Sequence, residues 1–77
     1  MSQQERILNI IQKIAKKDVR PDADESLFDA GYLDSFALPD MVSALEQEFG
    51  IEVPDSDLNP RKFESIARIE NYLNSRL

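Results

Sequence analysis

Residues 38–50 read LPDMVSALEQEFG and carry the clearest helical pattern of this 77-residue chain. Their apolar side chains recur three or four positions apart, which places them on one face of an α-helix. These side chains are Leu38, Met41, Val42, Leu45 and Phe49. Gly50 suits the C-terminal cap because glycine adopts a left-handed backbone without strain. The pattern predicts an amphipathic helix that ends near Phe49–Gly50.

The start of this helix is left open by Pro39. Proline is tolerated in a first turn but disfavoured further in, and it biases the preceding Leu38 away from helical backbone angles. The helix begins either near Ser35 with a distorted first turn, or near Leu38 with Ser35 in the approach. We prefer the second start.

A second helical pattern runs from about Gln3 to Lys17, with isoleucines on one face and charged residues on the other. Residues 18–34 then show no sustained period, which predicts a long loop, with one possible helical turn at Glu25–Phe28. Loops of this length are usually functional or held by side chains. The apolar residues available to hold this loop on the core are Val19, Leu27, Phe28 and Leu33.

The C-terminal part predicts an extended connection, Ile51–Pro54, and then two helical segments. A short helix is expected at Pro60–Glu64, with proline at its first position. Ser65 is a suitable N-terminal cap for the last helix, whose apolar residues are Ile66, Ile69, Leu73 and Leu77. Nothing predicts a strand. The predicted fold class is all-α: a small bundle of three main helices and one short helix, with a long first loop.

The composition argues against an enzyme. The chain contains no Cys and no His, so it lacks thiol nucleophiles, imidazole bases, disulfides and the usual zinc ligands. A chain of this size has little room for a deep pocket beside its core. Asp22 opens a segment that begins like a calcium loop, but Leu27 stands where that loop needs glycine. We therefore predict no catalytic site and no metal site.

The sequence offers no candidate for membrane insertion. No apolar run approaches the roughly 18 residues of a transmembrane helix, and the N-terminal residues lack the basic-then-apolar order of a signal peptide. A cytoplasmic monomer is expected.

Charge is unevenly distributed along the chain, whose net charge is −6. All nine Lys and Arg residues lie at Arg20 or earlier, or at Arg61 or later. Between Pro21 and Pro60 there are eleven acidic residues and no basic one. This balance argues against a nucleic-acid ligand. It leaves two interpretations: a solvated surface that keeps the protein soluble, or a negative face that attracts basic partner proteins.

One motif combines an acid, a hydroxyl and an apolar residue at the start of the second helix: Gly31-Tyr32-Leu33-Asp34-Ser35-Phe36. A serine in this position is exposed on a rigid element, where backbone N–H groups stabilise an anionic phosphodiester. The alternative is that Asp34 or Ser35 only caps the helix. Asp55-Ser56 is a second Asp-Ser pair, but no long amphipathic helix follows it.

Three segments together resemble the acyl carrier protein family in their order and spacing, over essentially the whole chain. They are Leu33-Asp34-Ser35-Phe36, the helix Leu38–Phe49, and Gly50-Ile51-Glu52-Val53-Pro54-Asp55. The resemblance implies a four-helix carrier fold, with residues 1–77 as a single acyl-carrier-type domain. It also implies a 4'-phosphopantetheine arm, joined to Ser35 by a phosphopantetheinyl transferase that uses coenzyme A.

The resemblance assigns roles to further residues. Asp34 would help position the transferase and its magnesium. Phe36 would be the central apolar contact of a recognition surface, whose acids would be Asp40, Glu46, Glu48 and Glu52. The implied partners are the transferase, an acyl- or aminoacyl-adenylating ligase, and a downstream acyltransferase or synthase.

Three departures separate the chain from general fatty-acid carriers: a longer Tyr32-Leu33 approach, Pro39, and the bases of Asn59-Pro60-Arg61-Lys62. They look more like dedicated carriers, such as D-alanyl carrier proteins, stand-alone aminoacyl carriers or the discrete carriers of secondary metabolism. We therefore expect a carrier in a specialised pathway. The alternatives are an ordinary fatty-acid carrier and a small acidic helical adaptor with no prosthetic group.

Overall fold

The structure, a computed structural model, describes residues 2–77. Three α-helices make up most of it: α1 (Gln3–Ala15), α2 (Leu38–Phe49) and α3 (Ile66–Arg76). Three short 3-10 turns connect them, at Ser35–Ala37, Asp55–Asp57 and Pro60–Phe63. Residues 2–77 contain no strand. The predicted all-α class is confirmed, and the arrangement is compatible with a small carrier-type bundle.

Local backbone geometry sets the bounds of α1 and α2. Lys16 adopts a left-handed conformation (φ 57°) and ends α1 at Ala15, so the predicted end at Lys17 was two residues too far. The second helix begins at Leu38, directly after the 3-10 turn, with Pro39 in its first turn. Gly50 (φ 66°) ends it, and the N–H groups of Gly50 and Ile51 both bond to the carbonyl of Glu46.

The C-terminal elements largely follow the sequence pattern. The Ser65 hydroxyl accepts a hydrogen bond from the Arg68 N–H (3.2 Å) and caps α3. Pro60 opens the short helix, which is of the 3-10 type. One detail differs from the prediction, because Leu77 is exposed and does not join the core. Asp55–Asp57 forms a further 3-10 turn, between the predicted connection and the short helix.

Polar contacts show that α1 runs antiparallel to the other two helices. At the N-terminal end of α1, Gln3 donates to Asn74 near the end of α3 (3.4 Å), and Arg6 pairs with Glu48 near the end of α2 (2.7 Å). The N-terminal ends of α2 and α3 therefore lie at the same end of the bundle. The three apolar faces enclose one core, formed by Ile7, Ile10, Ile11, Leu38, Met41, Val42, Leu45, Ile66, Ile69 and Leu73 together with loop residues.

The long first loop is part of this core. Leu27 and Leu33 are buried, and Val19 and Phe28 pack against the core partly buried, as predicted. Backbone bonds tie the loop to the start of α3: the Leu27 N–H donates to the Glu64 carbonyl (2.7 Å), and the Ala67 N–H donates to the Ala23 carbonyl (2.9 Å). The helical turn expected at Glu25–Phe28 lies slightly later, where the Ala30 N–H bonds to the Ser26 carbonyl (3.0 Å).

A polar cluster fastens the Asp55–Asp57 turn to α3. Asp57 accepts hydrogen bonds from the Lys62 ammonium and from the Tyr72 hydroxyl, both at 2.8 Å. The bonds from Lys62 and Tyr72 lower the pKa of the Asp57 carboxyl. Partial burial, followed by the bond to Asp57, raises the pKa of the Tyr72 phenol. Asp57 therefore remains charged and Tyr72 remains a donor at neutral pH.

Candidate functional site

Ser35 lies at the first position of the 3-10 turn that leads into α2, with its side chain exposed. Among residues 2–77, no hydrogen-bond partner engages its hydroxyl. The first N–H groups of a helical segment lack intrahelical partners and carry partial positive charge. The Ser35 oxygen is thus an accessible hydroxyl beside a weakly electropositive backbone, and a phosphodiester on it would be stabilised there.

Asp34 provides the cap of this turn. Its Oδ1 accepts a hydrogen bond from the Ala37 N–H at 3.0 Å, and its backbone is extended (φ −99°, ψ 172°). The interpretation of Asp34 as a helix cap is therefore correct. Because Asp34 takes this role, the Ser35 hydroxyl is not needed for it.

The segment before Ser35 turns sharply at Gly31, whose φ of 83° lies in the region that favours glycine. The turn is closed by the Gly31 N–H, which donates to the Phe28 carbonyl (3.2 Å). Leu33 then enters the core, so the chain emerges at the surface at Asp34. This path holds Ser35 on the outside of the bundle.

An apolar side chain stands next to Ser35. Phe36 is 88% exposed, the most exposed large apolar side chain among residues 2–77. Single exposed apolar residues are common on protein surfaces, but this one adjoins a free hydroxyl at a helix start. Asp40, in the first turn of α2, is also exposed and forms no ion pair with another described residue.

The remaining acids of the predicted surface lie further away and have partners or different surroundings. The Glu46 carboxylate accepts the Val53 N–H (2.9 Å) and orders the turn after α2. Glu48 holds Arg6, whose guanidinium also lies 4.3 Å from the centre of the Phe49 ring. Glu52 is exposed beyond the end of α2. At a rise of 1.5 Å per residue, Glu48 lies about 20 Å along the helix from Ser35. The structure thus places only Asp34, Phe36 and Asp40 beside Ser35.

The basic residues noted after Pro60 differ from each other. Lys62 is paired with Asp57 (2.8 Å), which neutralises its charge locally. Arg61 is exposed and is in no ion pair with residues 2–77. Only one of the two bases is therefore available to affect a partner.

Ser26, Ser56 and Ser65 have surroundings that differ from those of Ser35. The Ser26 and Ser65 hydroxyls accept backbone N–H groups of Asp29 and Arg68, so both act as caps. Ser56 is exposed but sits in an isolated 3-10 turn. Within residues 2–77, no group of three or more carboxylates could hold a metal ion, and no helix has the length and apolar character to cross a membrane.

Comparison with known proteins gives the site its class. Residues 5–73 match the family described as "Phosphopantetheine attachment site". The chain is 39% identical over 69 residues to a D-alanyl carrier protein of Streptococcus suis, covering 90% of this chain and 87% of that protein. It is 30% identical over 78 residues to a D-alanyl carrier protein of Lactobacillus acidophilus, covering 96% and 99% respectively.

The chain therefore belongs to the phosphopantetheine attachment family, and the prosthetic group of that family is 4'-phosphopantetheine. The residues present fit this group. The Ser35 hydroxyl has no hydrogen-bond partner within residues 2–77 and is exposed at a helix start, and the cap beside it is supplied by Asp34. Asp34 and Phe36 are exposed as well, so a group attached to Ser35 would extend into solvent.

Proposed function

We propose that this protein is a non-catalytic carrier of acyl or aminoacyl groups, with its 4'-phosphopantetheine arm on Ser35. The observation that carries the assignment is the exposed Ser35 hydroxyl, released from capping by Asp34. Asp55-Ser56, the competing Asp-Ser pair, lies in a 3-10 turn that does not lead directly into an α-helix. The proposal treats residues 1–77 as one carrier domain, working in the cytoplasm as a monomer.

The arm supplies a terminal thiol that holds the carried group as a thioester. The chain itself presents Ser35 to a phosphopantetheinyl transferase. The Ser35 oxygen loses its proton and bonds to the phosphopantetheine phosphorus of coenzyme A, the pyrophosphate bond of coenzyme A breaks, and adenosine 3',5'-bisphosphate leaves. Attachment then keeps the carried group tethered near each enzyme that docks, which raises its effective concentration. Asp34 adds a negative charge beside the reacting hydroxyl. In this proposal its carboxylate helps to position the transferase and its magnesium.

Recognition in this proposal is electrostatic and centred on the start of α2. Phe36 and Asp40 form its inner part because they lie beside Ser35 and are exposed. Glu52 extends this recognition surface beyond the C-terminal end of α2. Glu46 and Glu48 contact partners in this proposal and also form the internal bonds to Val53 and Arg6. Such contacts favour fast and transient association, since charge steers the encounter.

Reversing the charge of Asp40 tests this surface. In the Asp40→Lys variant, kcat/KM for arm transfer should fall on the order of tenfold at low ionic strength, because steering is lost. The difference should shrink at high salt, where the Debye length is short. Steady-state kinetics at several salt concentrations measure both.

Glu5→Lys is the matched control. Glu5 is also an exposed acid in the first turn of a helix, so the variant has the same change in net charge and a similar helix-dipole cost. It lies at the opposite end of the bundle from Ser35. Equal losses in both variants, or no salt dependence for Asp40→Lys, would argue against a recognition surface on α2. Glu48→Lys is less informative because it also breaks the Arg6 pair.

The pathway is proposed to be a specialised one in which an adenylating ligase loads an amino acid. The similarity to D-alanyl carrier proteins supports D-alanine as the first cargo to test. Arg61 supports it too, because a partner adapted to a uniformly acidic carrier would meet a base there. A downstream acyltransferase or synthase would then receive the carried group.

Loading experiments test this proposal. The protein bearing its arm is given separately to malonyl transferase with malonyl-CoA, and to adenylating ligases with ATP and D-alanine or other candidate acids. We expect ligase-dependent aminoacylation and poor malonylation, both read by intact mass. Efficient malonylation and chain elongation, with no ligase accepting the protein, would assign it to fatty-acid synthesis. Failure to acquire any arm would instead favour an adaptor without a prosthetic group.

A further inference from the structure

The segment before Ser35 contains a side-chain contact between Tyr32 and Glu25, which is separate from the Asp34 cap. Tyr32 is half-buried against the core, and its hydroxyl donates to the Glu25 carboxylate, with oxygen–oxygen distances of 3.3 and 3.4 Å. The contact links two parts of the long loop that are seven residues apart. Tyr32 stands three positions before Ser35, between the turn at Gly31 and the buried Leu33.

Glu25 is itself fixed. Its Oε1 accepts the Asp22 N–H at 3.0 Å, and the Glu25 N–H donates to the Asp22 carbonyl at 3.0 Å. These two bonds close a turn at Asp22–Glu25. The turn is joined to α3 through the Ala67 N–H and the Ala23 carbonyl (2.9 Å). Tyr32 thus connects the approach to Ser35 with a turn that α3 holds in place.

The phenol is suited to remain a donor. Partial burial, and then the charge and hydrogen bond of Glu25, raise the pKa of Tyr32 above its ordinary value. The hydroxyl therefore keeps its proton at any pH at which the protein would work. The bond is shared between both Glu25 oxygens and is longer than the usual O–H···O bond of about 2.7–2.8 Å.

From this geometry we propose that Tyr32, held by Glu25, is a positioning residue that fixes Asp34-Ser35 for arm transfer. The proposal rests on Ser35 being the attachment site. Within residues 2–77 the Ser35 hydroxyl has no hydrogen-bond partner, so its placement depends on the backbone that leads to it. Freeing Tyr32 lets this approach sample other conformations and lowers the fraction of docked molecules whose Ser35 is correctly aligned.

If Tyr32 positions Ser35 without contacting the transferase, its loss should lower kcat for arm transfer and leave KM nearly unchanged. The docking residues Phe36 and Asp40 lie after Ser35 and are not touched by Tyr32→Phe, which removes one oxygen and keeps the ring. We expect kcat for arm transfer to fall roughly three- to tenfold, with KM changed by less than about twofold. Amide hydrogen exchange at Leu33, whose N–H donates to Leu27 (3.0 Å), should become faster.

Tyr72→Phe is the matched control because it removes the same atom from another half-buried tyrosine that bonds a carboxylate, Asp57. It should leave kcat unchanged. Glu25→Gln keeps an acceptor oxygen and should retain most activity, whereas Glu25→Ala should lower kcat at least as much as Tyr32→Phe, because it also removes the bond from the Asp22 N–H. The double variant Tyr32→Phe/Glu25→Ala should be no slower than Glu25→Ala alone, because Glu25→Ala already removes the bond to Tyr32.

Two results would overturn the positioning role: an unchanged kcat in Tyr32→Phe, or an equal fall in Tyr72→Phe, which would reflect stability alone. Absence of arm transfer to the wild-type protein is a different outcome, since it would contradict the attachment site itself. The kinetic comparison therefore distinguishes failure of this inference from failure of the proposed function.

Discussion

Replacing Ser35 with alanine is expected to abolish attachment of the arm while leaving the fold intact. The variant removes the only oxygen through which the proposed phosphodiester forms. It disturbs little else, because Asp34 caps the turn and the Ser35 hydroxyl bonds to none of residues 2–77. The free energy of unfolding should change by less than about 0.5 kcal/mol. Intact mass after incubation with coenzyme A and a transferase measures the first effect, and urea denaturation the second.

Ser56→Ala is the control for this variant. Ser56 also follows an aspartate and is exposed in a 3-10 turn, so it matches Ser35 in its local sequence but not in the helix that follows. The Ser56→Ala protein should gain the arm to the same extent as the wild-type protein. A Ser35→Ala protein that still gains the arm, or a Ser56→Ala protein that does not, would contradict the assignment.

Truncation of Leu27 is expected to have a large effect on stability, although this residue lies in a loop. Leu27 is fully buried, and its N–H bonds the Glu64 carbonyl at 2.7 Å. Leu27→Ala should lower the free energy of unfolding by about 2–5 kcal/mol, through lost burial and the cavity left behind. A domain of this length is stable by only about 4–12 kcal/mol, so the variant should lose a large part of its total stability. Urea denaturation measures the change.

Leu58→Ala serves as its control. Leu58 is also a leucine outside the α-helices, but it is 39% exposed and does not belong to the core. Its truncation should cost far less, because little apolar surface is returned to water. Similar losses in the two variants, or a loss below about 1 kcal/mol for Leu27→Ala, would mean that the loop is not held by the core.

The helices could be predicted because each carries a local signal. The apolar period of α2, the Gly50 cap and the Ser65 cap each involve residues only a few positions apart, so each can be recognised directly in the sequence. Lys16 illustrates the limit. A left-handed backbone at a lysine has no sequence signature like that of glycine, and α1 therefore ends two residues before its predicted end. The start of α2 was ambiguous for a related reason, since the structure combines a 3-10 turn from Ser35 with an α-helix from Leu38.

The site could be predicted in part. The motif singled out Asp34, Ser35 and Phe36, which are adjacent in the chain and remain adjacent in the fold. Long-range pairs could not be predicted, because local periodicity does not state which charged residues meet. The Arg6–Glu48 pair joins residues 42 positions apart, and its presence gives Glu48 an internal role. The Tyr32–Glu25 contact was missed for the same reason. Only the presence of a tyrosine in a loop held by core residues could have indicated it from the sequence.

The most direct test of this account is to locate the modification on the wild-type chain. The protein is incubated with coenzyme A, magnesium and a broad-specificity phosphopantetheinyl transferase, weighed intact, then digested and fragmented. We predict a gain of one phosphopantetheine group, carried entirely by the peptide that contains Ser35 and localised to that residue. No gain in mass, or a modification on Ser56 or any other serine, would contradict the account.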